Sequence, residues 1–457
     1  MAGRDLTQGA VARWIPALTF PMMLTFGMQS AYALADLYFV SRLGGAALAG
    51  LGISLNTYFI VLAVGQAIGV GGLALLSQAF GAGRHDRVSQ VFQQVLWLML
   101  ALGTVLWIVG WVNAERFILL FSEDANVVRE GTAFMRAYSA SFLFQVLLMA
   151  GAMCFRALGD FVLPTVISAV TVVLNVVLDP LLIFGWGPLS GLGIAGAGLA
   201  TAIGQGVGVL AYAAMILFHP RTRALVVGLP LRWDWAIQRQ VLRIGIPAGL
   251  RFLMLGTTLL VFFRFLRPLG GDAAAATGLG IRVVSSLLLL LGDSVGTAVA
   301  SLVGQNFGAG KSGRVKAAIR WGLAWHAVCF GVIFALILWD ARLWVAPFAQ
   351  EPDIVALAAR YMVILGSALP FFGVSMITSY ASGGLGRTFP PMLAMSVNLI
   401  FCLAGWTVLR YSEALTLDGM WIVAAAALDV EALVLAVVLV RIWKQLPPES
   451  IAENAMA

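Results

Sequence analysis

Gln78-Ala79-Phe80-Gly81-Ala82-Gly83-Arg84-His85-Asp86-Arg87 and Gln305-Asn306-Phe307-Gly308-Ala309-Gly310-Lys311-Ser312-Gly313-Arg314 are two versions of one stretch, 227 residues apart. The same offset pairs Leu158-Gly159 and Pro164 with Leu385-Gly386 and Pro391, Phe121 with Phe348, and Met135 with Met362. Nearer the start of each copy the offset is 226, pairing Pro21 with Pro247 and Leu43-Gly44 with Leu269-Gly270. A nearly constant offset over several separate regions marks an internal duplication, which must be recognised before any motif is interpreted.

The residues around these motifs say what is duplicated. Of 457 residues, 61% are hydrophobic and 11% charged, against roughly 45–50% and about 25% in soluble domains. That balance excludes a soluble enzyme. A membrane span takes about 20 apolar residues, and apolar runs between charged or Gly/Pro-rich breaks give twelve: 14–40, 48–79, 91–112, 132–155, 162–184, 193–218, 241–266, 274–305, 318–339, 357–380, 391–410 and 418–440. The fold class expected is all-α integral membrane, with twelve transmembrane helices in two pseudo-symmetric six-helix lobes. The expected boundaries are 1–218 for the N-terminal lobe, 219–240 for a cytoplasmic linker and 241–457 for the C-terminal lobe. Six is even, so both copies enter from the same side as parallel repeats, a plan that transporters use for alternating access.

The net charge of +7 does not point to nucleic acid, because the basic residues fall in short clusters between apolar runs. With the N-terminus in the cytoplasm, seventeen Lys and Arg belong to inside loops and span ends and nine to outside ones. Both termini are therefore expected in the cytoplasm of a cell inner membrane. Cys154, Cys329 and Cys402 lie in apolar runs at no metal-ligand spacing and read as packing residues. The N-terminal stretch lacks a short apolar core followed by an A-x-A site, so the first segment is expected to remain a span. Gly191-Leu192-Gly193-Ile194-Ala195-Gly196 matches a dinucleotide fingerprint only literally, with no strand before it, and is read as a loop. No Walker A sequence is present. No cofactor and no metal are expected.

Five acids fall within spans: Asp36, Asp179, Asp293, Asp429 and Glu431. A carboxylate at membrane depth costs at least about 2.5–3.5 kcal/mol, so each calls for a reason. Tyr32 stands four residues before Asp36 and Asn175 four before Asp179, which puts each acid one turn from a neutral hydrogen-bonding group on the same helix face. Asp36 could instead cap a helix break, and Asp179 could order the turn before Pro180. Asp293 is a secondary candidate, with Arg251 or Arg282 available to neutralise it. Glu431 reads as a solvated or paired residue toward a helix end, and His326 as a satisfied packing residue. Pro21, inside the first span, is expected to kink it.

The chain resembles the multidrug and toxic compound extrusion (MATE) transporters, and within them the DinF-like or archaeal-like branch. The residues that carry the resemblance are Pro21, Ala35 to Gly44, Gln78 to Arg87, Arg156 to Pro164, Leu174 to Pro180, Gly304 to Arg314 and Gly383 to Met392. It implies two lobes around a central cleft and export of hydrophobic, often cationic, small organic compounds against an inward cation flux, by a monomer in the lipid bilayer. It also implies that Asp36, Asp179, Tyr32 and Asn175, with Thr201 as a further member, form a cation-coupling site. The second copy carries Phe262, Cys402 and Trp406 at the places of Asp36, Asn175 and Asp179, so this pair is confined to the first. Protons are favoured over sodium because protonation removes the cost of burying a carboxylate. A lipid-linked oligosaccharide flippase of the same superfamily and a sodium-coupled exporter are the alternatives.

Overall fold

The computed structural model describes residues 4–187, 189–218, 233–349 and 351–446, nearly all of them helical. The first repeat contains α1 (Val11–Ser41), α2 (Gly45–Ser54), α3 (Asn56–Gly81), α4 (His85–Val112), α5 (Ala114–Leu119), α6 (Ala125–Ala157), α7 (Val162–Phe184) and α8 (Ile194–Phe218). The second contains α9 (Trp235–Leu266), α10 (Gly271–Leu287), α11 (Ser294–Gly308), α12 (Ser312–Asp340), α13 (Arg342–Val345), α14 (Pro352–Gly366), α15 (Leu369–Gly384), α16 (Phe389–Tyr411) and α17 (Leu417–Gln445). A two-residue hairpin, Gly185–Trp186 against Leu189–Ser190, follows α7. Of the expected linker, 219–232 lies outside the described residues, and 235–240 forms the first turns of α9.

Among the described residues ten helices are long and apolar enough to cross a bilayer, and the α14–α15 pair, bent by 56°, makes an eleventh. α1 is the twelfth. Its 31 residues are long enough, but Gln29, Ser30, Tyr32 and Asp36 dilute its apolar character. It continues as one helix through Pro16 and Pro21. The bend between α14 and α15 falls where Pro370, in the first turn of α15, has no N–H to continue the previous helix. Helices are the solution the bilayer imposes, since each backbone polar group is satisfied within its own segment. Large exposed aromatics mark helix ends, as at Trp111, Trp339 and Tyr411, where amphipathic rings suit the membrane interface.

The duplicated motifs turn out to be helix stops. After α3, Gly83 adopts φ +70°, the Gly83 N–H reaches Phe80 O at 3.0 Å and the Arg84 N–H reaches Ala79 O at 3.0 Å. After α11, Gly310 adopts φ +71°, with Gly310 bonded to Phe307 O at 3.1 Å and Lys311 to Asn306 O at 2.8 Å. Both are Schellman caps, whose left-handed position only glycine fills without strain. The same device ends α6 at Gly159 and α15 at Gly386. Asp160 then starts α7, accepting from the Val162 and Leu163 N–H groups at 3.0 and 3.1 Å.

Two compact units emerge. One is built mainly from Leu24–Gly249 and the other from Leu6–Met23 with the chain after Leu250. The chain changes unit inside α1 and again inside α9, at positions 226 apart. Each has its own apolar core, the first including Phe92, Phe134 and Phe155, the second Phe330, Trp406 and Trp421. Within the second unit, Arg314 donates to the carbonyls of Leu6, Gln8 and Gly9 at 2.9, 3.0 and 2.7 Å. Within the first, Arg87 donates to Gln240 at 3.0 Å and Gln94 accepts from the Asp234 N–H at 3.0 Å. Arg314 thus also anchors the stretch leading into α1, and Arg87 the first turns of α9.

Candidate functional site

The candidate site is built within the first unit from three helices. α1 carries Tyr32 and Asp36, α7 carries Asn175 and Asp179, and α8 carries Thr201. α8 lies close on α7 because Gly204, one turn after Thr201, has no side chain. A Cβ there would come within 3.2 Å of Thr171 O and 3.5 Å of the Asn175 Cβ. This approach brings Thr201 and Asn175 together.

Tyr32 Oη and Thr201 Oγ1 are 2.9 Å apart. The Thr201 hydroxyl donates to Ala197 O at 3.1 Å, so the Tyr32 hydroxyl is the donor between the two. With its amide turned to satisfy both ends, Asn175 donates to Asp179 Oδ2 at 3.1 Å and accepts from the Thr201 N–H at 3.0 Å. Tyr32, Thr201, Asn175 and Asp179 therefore form one connected network across three helices. Asp179 is fully buried and Asp36 is 8% exposed. Their carboxylates are close enough for their charges to interact.

Among the described residues no ion pair reaches Asp36 or Asp179. One oxygen of each, Oδ1 in both cases, is shut off from solvent with no hydrogen-bond partner. Two buried carboxylates without a counter-charge are costly when ionised. A proton or a small cation is what removes that cost. Of the other candidates, Pro21 lies on α1 fifteen residues before Asp36.

The second unit holds acids of a different kind. Asp293 ends a π-helical stretch, Leu288–Asp293, a local irregularity frequent at functional positions. It accepts from the Tyr380 hydroxyl at 2.5 Å. The ion pair of Arg251 goes instead to Glu431, and Arg282 is exposed. Glu431 is 1% exposed and sits at the middle of α17, not solvated toward its end. Its partners Ser375 and Asn398 come from two further helices, and no local spacing in the sequence joins them. Asp429 is partly buried, with Oδ1 unpartnered. His326 is buried and stacked on Phe330 at 4.1 Å, but among the described residues neither ring nitrogen has a partner. It is a packing residue without being a satisfied one. All three cysteines are free. In the Gly191–Gly196 stretch, Leu192 and Gly193 donate back to Leu182 O and Ile183 O at 2.8 and 3.1 Å, which makes it a tight return loop into α8.

A duplicated six-helix membrane protein with uncompensated acids buried in one repeat has the form of a secondary transporter. The MatE family model matches residues 21–181 and 247–404, two stretches that begin at Pro21 and Pro247, and the chain belongs to that family. It is 26% identical over 447 residues to the probable multidrug resistance protein YoeA of Bacillus subtilis, with 95% of each chain covered. It is 25% identical over 423 residues to the multidrug export protein MepA of Staphylococcus haemolyticus, covering 89% of this chain and 91% of the relative. Among solved structures it resembles an outward-facing multidrug resistance MATE family transporter of the MOP superfamily, with a TM-score of 0.90, 21% identity and 98% and 99% of the two chains covered. The fold is therefore the twelve-helix, two-lobe membrane fold of that family.

Proposed function

We propose that the protein is a secondary active multidrug exporter that expels hydrophobic and cationic organic compounds by alternating access, driven by inward protons bound at Asp36 and Asp179. It is a transporter and not an enzyme, as are the multidrug resistance and export proteins it resembles. The observation that carries the proton reading is the pair of buried carboxylates that have, among the described residues, unpartnered oxygens and no counter-ion. Protonation makes both neutral, whereas ionisation leaves two like charges in one apolar wall. Tyr32, Asn175 and Thr201 hold the acids' surroundings in place through the hydrogen bonds between α1, α7 and α8. Each pH unit across the membrane supplies about 1.4 kcal/mol per proton, and a potential of roughly 100 mV about 2.3 kcal/mol per charge.

The two repeats, 1–218 and 241–457, work as lobes joined on the cytoplasmic side by 219–240, of which 235–240 is already the start of α9. Both termini face the cytoplasm, and one chain suffices. Reporter fusions after Lys444 should report cytoplasm, and fusions between Arg116 and Arg129 the opposite side. A C-terminus on the outer side would remove the parallel-repeat reading.

The ion is tested in proteoliposomes loaded with ethidium, given a pH gradient at zero sodium or a sodium gradient at fixed pH. Export that follows pH alone is expected. Export that follows sodium and ignores pH would reverse the assignment.

A further inference from the structure

The second unit contains a buried charge network that proton coupling at Asp36 and Asp179 leaves unused. Arg251 stands sixteen residues into the 32-residue helix α9, about 24 Å from its start and so near the middle of a bilayer core. Its Nη2 lies 3.5 Å from Glu431 Oε1. Glu431 does not depend on that contact for its position. The Ser375 hydroxyl donates to Oε1 at 2.8 Å and the Asn398 amide to Oε2 at 3.2 Å, so two neutral donors already hold the carboxylate.

The bonding inventory is one-sided. The Glu431 side chain is 2% exposed with three donors around it, whereas the Arg251 side chain is 28% exposed. A guanidinium offers five N–H donors in a fixed fork suited to a carboxylate. Among the described residues Arg251 makes this single long contact, and its Nε, itself shut off from solvent, has no partner. The unspent capacity of the network therefore lies on its cation and consists of donors. What completes it is an acceptor, best an anionic one that can take two parallel bonds.

Resting on the transporter reading above, we infer that Arg251 is a recognition point for the carboxylate of an amphiphilic organic acid. The second unit then adds acidic compounds to the cationic cargo proposed for the protein. Glu431 and Asp293 oppose such a ligand. Glu431 competes for the same guanidinium, and Asp293, bonded to Tyr380, is a second acid whose charge interacts with Arg251. The assignment thus fixes three signs: removal of Arg251 weakens binding of an organic acid, and neutralisation of either acid strengthens it.

The test uses the full chain in phosphatidylcholine nanodiscs, with pyrenebutyrate and its methyl ester as probes that share an apolar body and differ in charge. The wild type should bind the acid about tenfold more tightly than the ester, the order of a charge-assisted fork. Arg251→Gln should abolish that preference and Arg251→Lys, which keeps the charge and loses the fork, should reduce it. Glu431→Gln and Asp293→Asn should each raise affinity for the acid severalfold and leave the ester unchanged. If Arg251→Gln fails to fold, the Lys variant and these two signs still decide. Equal wild-type affinity for acid and ester, or a preference indifferent to Arg251, overturns the proposal. Displacement of the acid by phosphatidylglycerol added to the discs would overturn it in favour of a lipid headgroup. Proton-driven ethidium export that persists without any acid preference sinks this assignment alone, whereas absence of any gradient-driven export sinks the transporter reading.

Discussion

Asp36 and Asp179 in the first repeat correspond to Phe262 and Trp406 in the second, and the second pair touches, edge to face, with ring centroids 5.2 Å apart. The same two places on the same two helices of the plan are therefore filled once by acids and once by aromatics. Phe262 and Trp406 are 4% and 1% exposed within the apolar core of their unit, and the Trp406 indole N–H is satisfied by Met420 O at 3.1 Å. That junction is buried, and its one side-chain polar group is bonded. Its counterpart carries two carboxylate oxygens, the Oδ1 of each acid, that have no partner among the described residues. Duplication supplied one helix plan, and divergence filled the same two places with an aromatic contact in one copy and with two buried acids in the other.

The comparison breaks most visibly if the acids are dispensable. Asp36→Asn and Asp179→Asn should each abolish uphill export, measured as ethidium accumulation in energised vesicles, while the chain remains inserted and monodisperse, because an amide keeps the volume and cannot titrate. Wild-type export by either variant removes the distinction between the repeats. Next in size is the aromatic junction. Trp406→Ala should cost about 3–5 kcal/mol of stability, read as a lower unfolding midpoint in detergent, without changing the number of protons moved per compound. A changed proton count would mean that the second repeat takes part in coupling. The smallest effect belongs to the caps the repeats share. Asp160→Ala should cost about 1 kcal/mol, because the first turn of α7 loses its acceptor, and should leave export intact. Loss of export there would show that the turn does more than start the helix.

Much of this was legible in the sequence. The repeat offset marked the duplicated helix stops, and the i to i+4 spacing put Tyr32 beside Asp36 and Asn175 beside Asp179. What joins those pairs is Thr201 from a third helix, reachable because Gly204 lets α8 approach α7. The partners of Glu431 were not legible. Arg251, Ser375 and Asn398 come from three other helices, and no residue one turn from Glu431 on its own helix offers it a hydrogen bond that would mark it as buried. The change of unit inside α1 and α9 was also hidden, since an uninterrupted apolar helix carries no local sign of which neighbours each half packs against. Arg87 and Arg314 read as topology signals, and their hydrogen bonds to the first turns of α9 and to the stretch before α1 show only in three dimensions.

The most direct test of the difference between the repeats is the release of protons when a cationic compound binds to the purified protein. Ethidium added to the wild type in weakly buffered detergent solution should acidify the medium, and Phe262→Leu should behave the same way. The Asp36→Asn, Asp179→Asn double variant should bind ethidium without releasing protons. Undiminished proton release from that double variant would contradict the assignment of coupling to the first repeat.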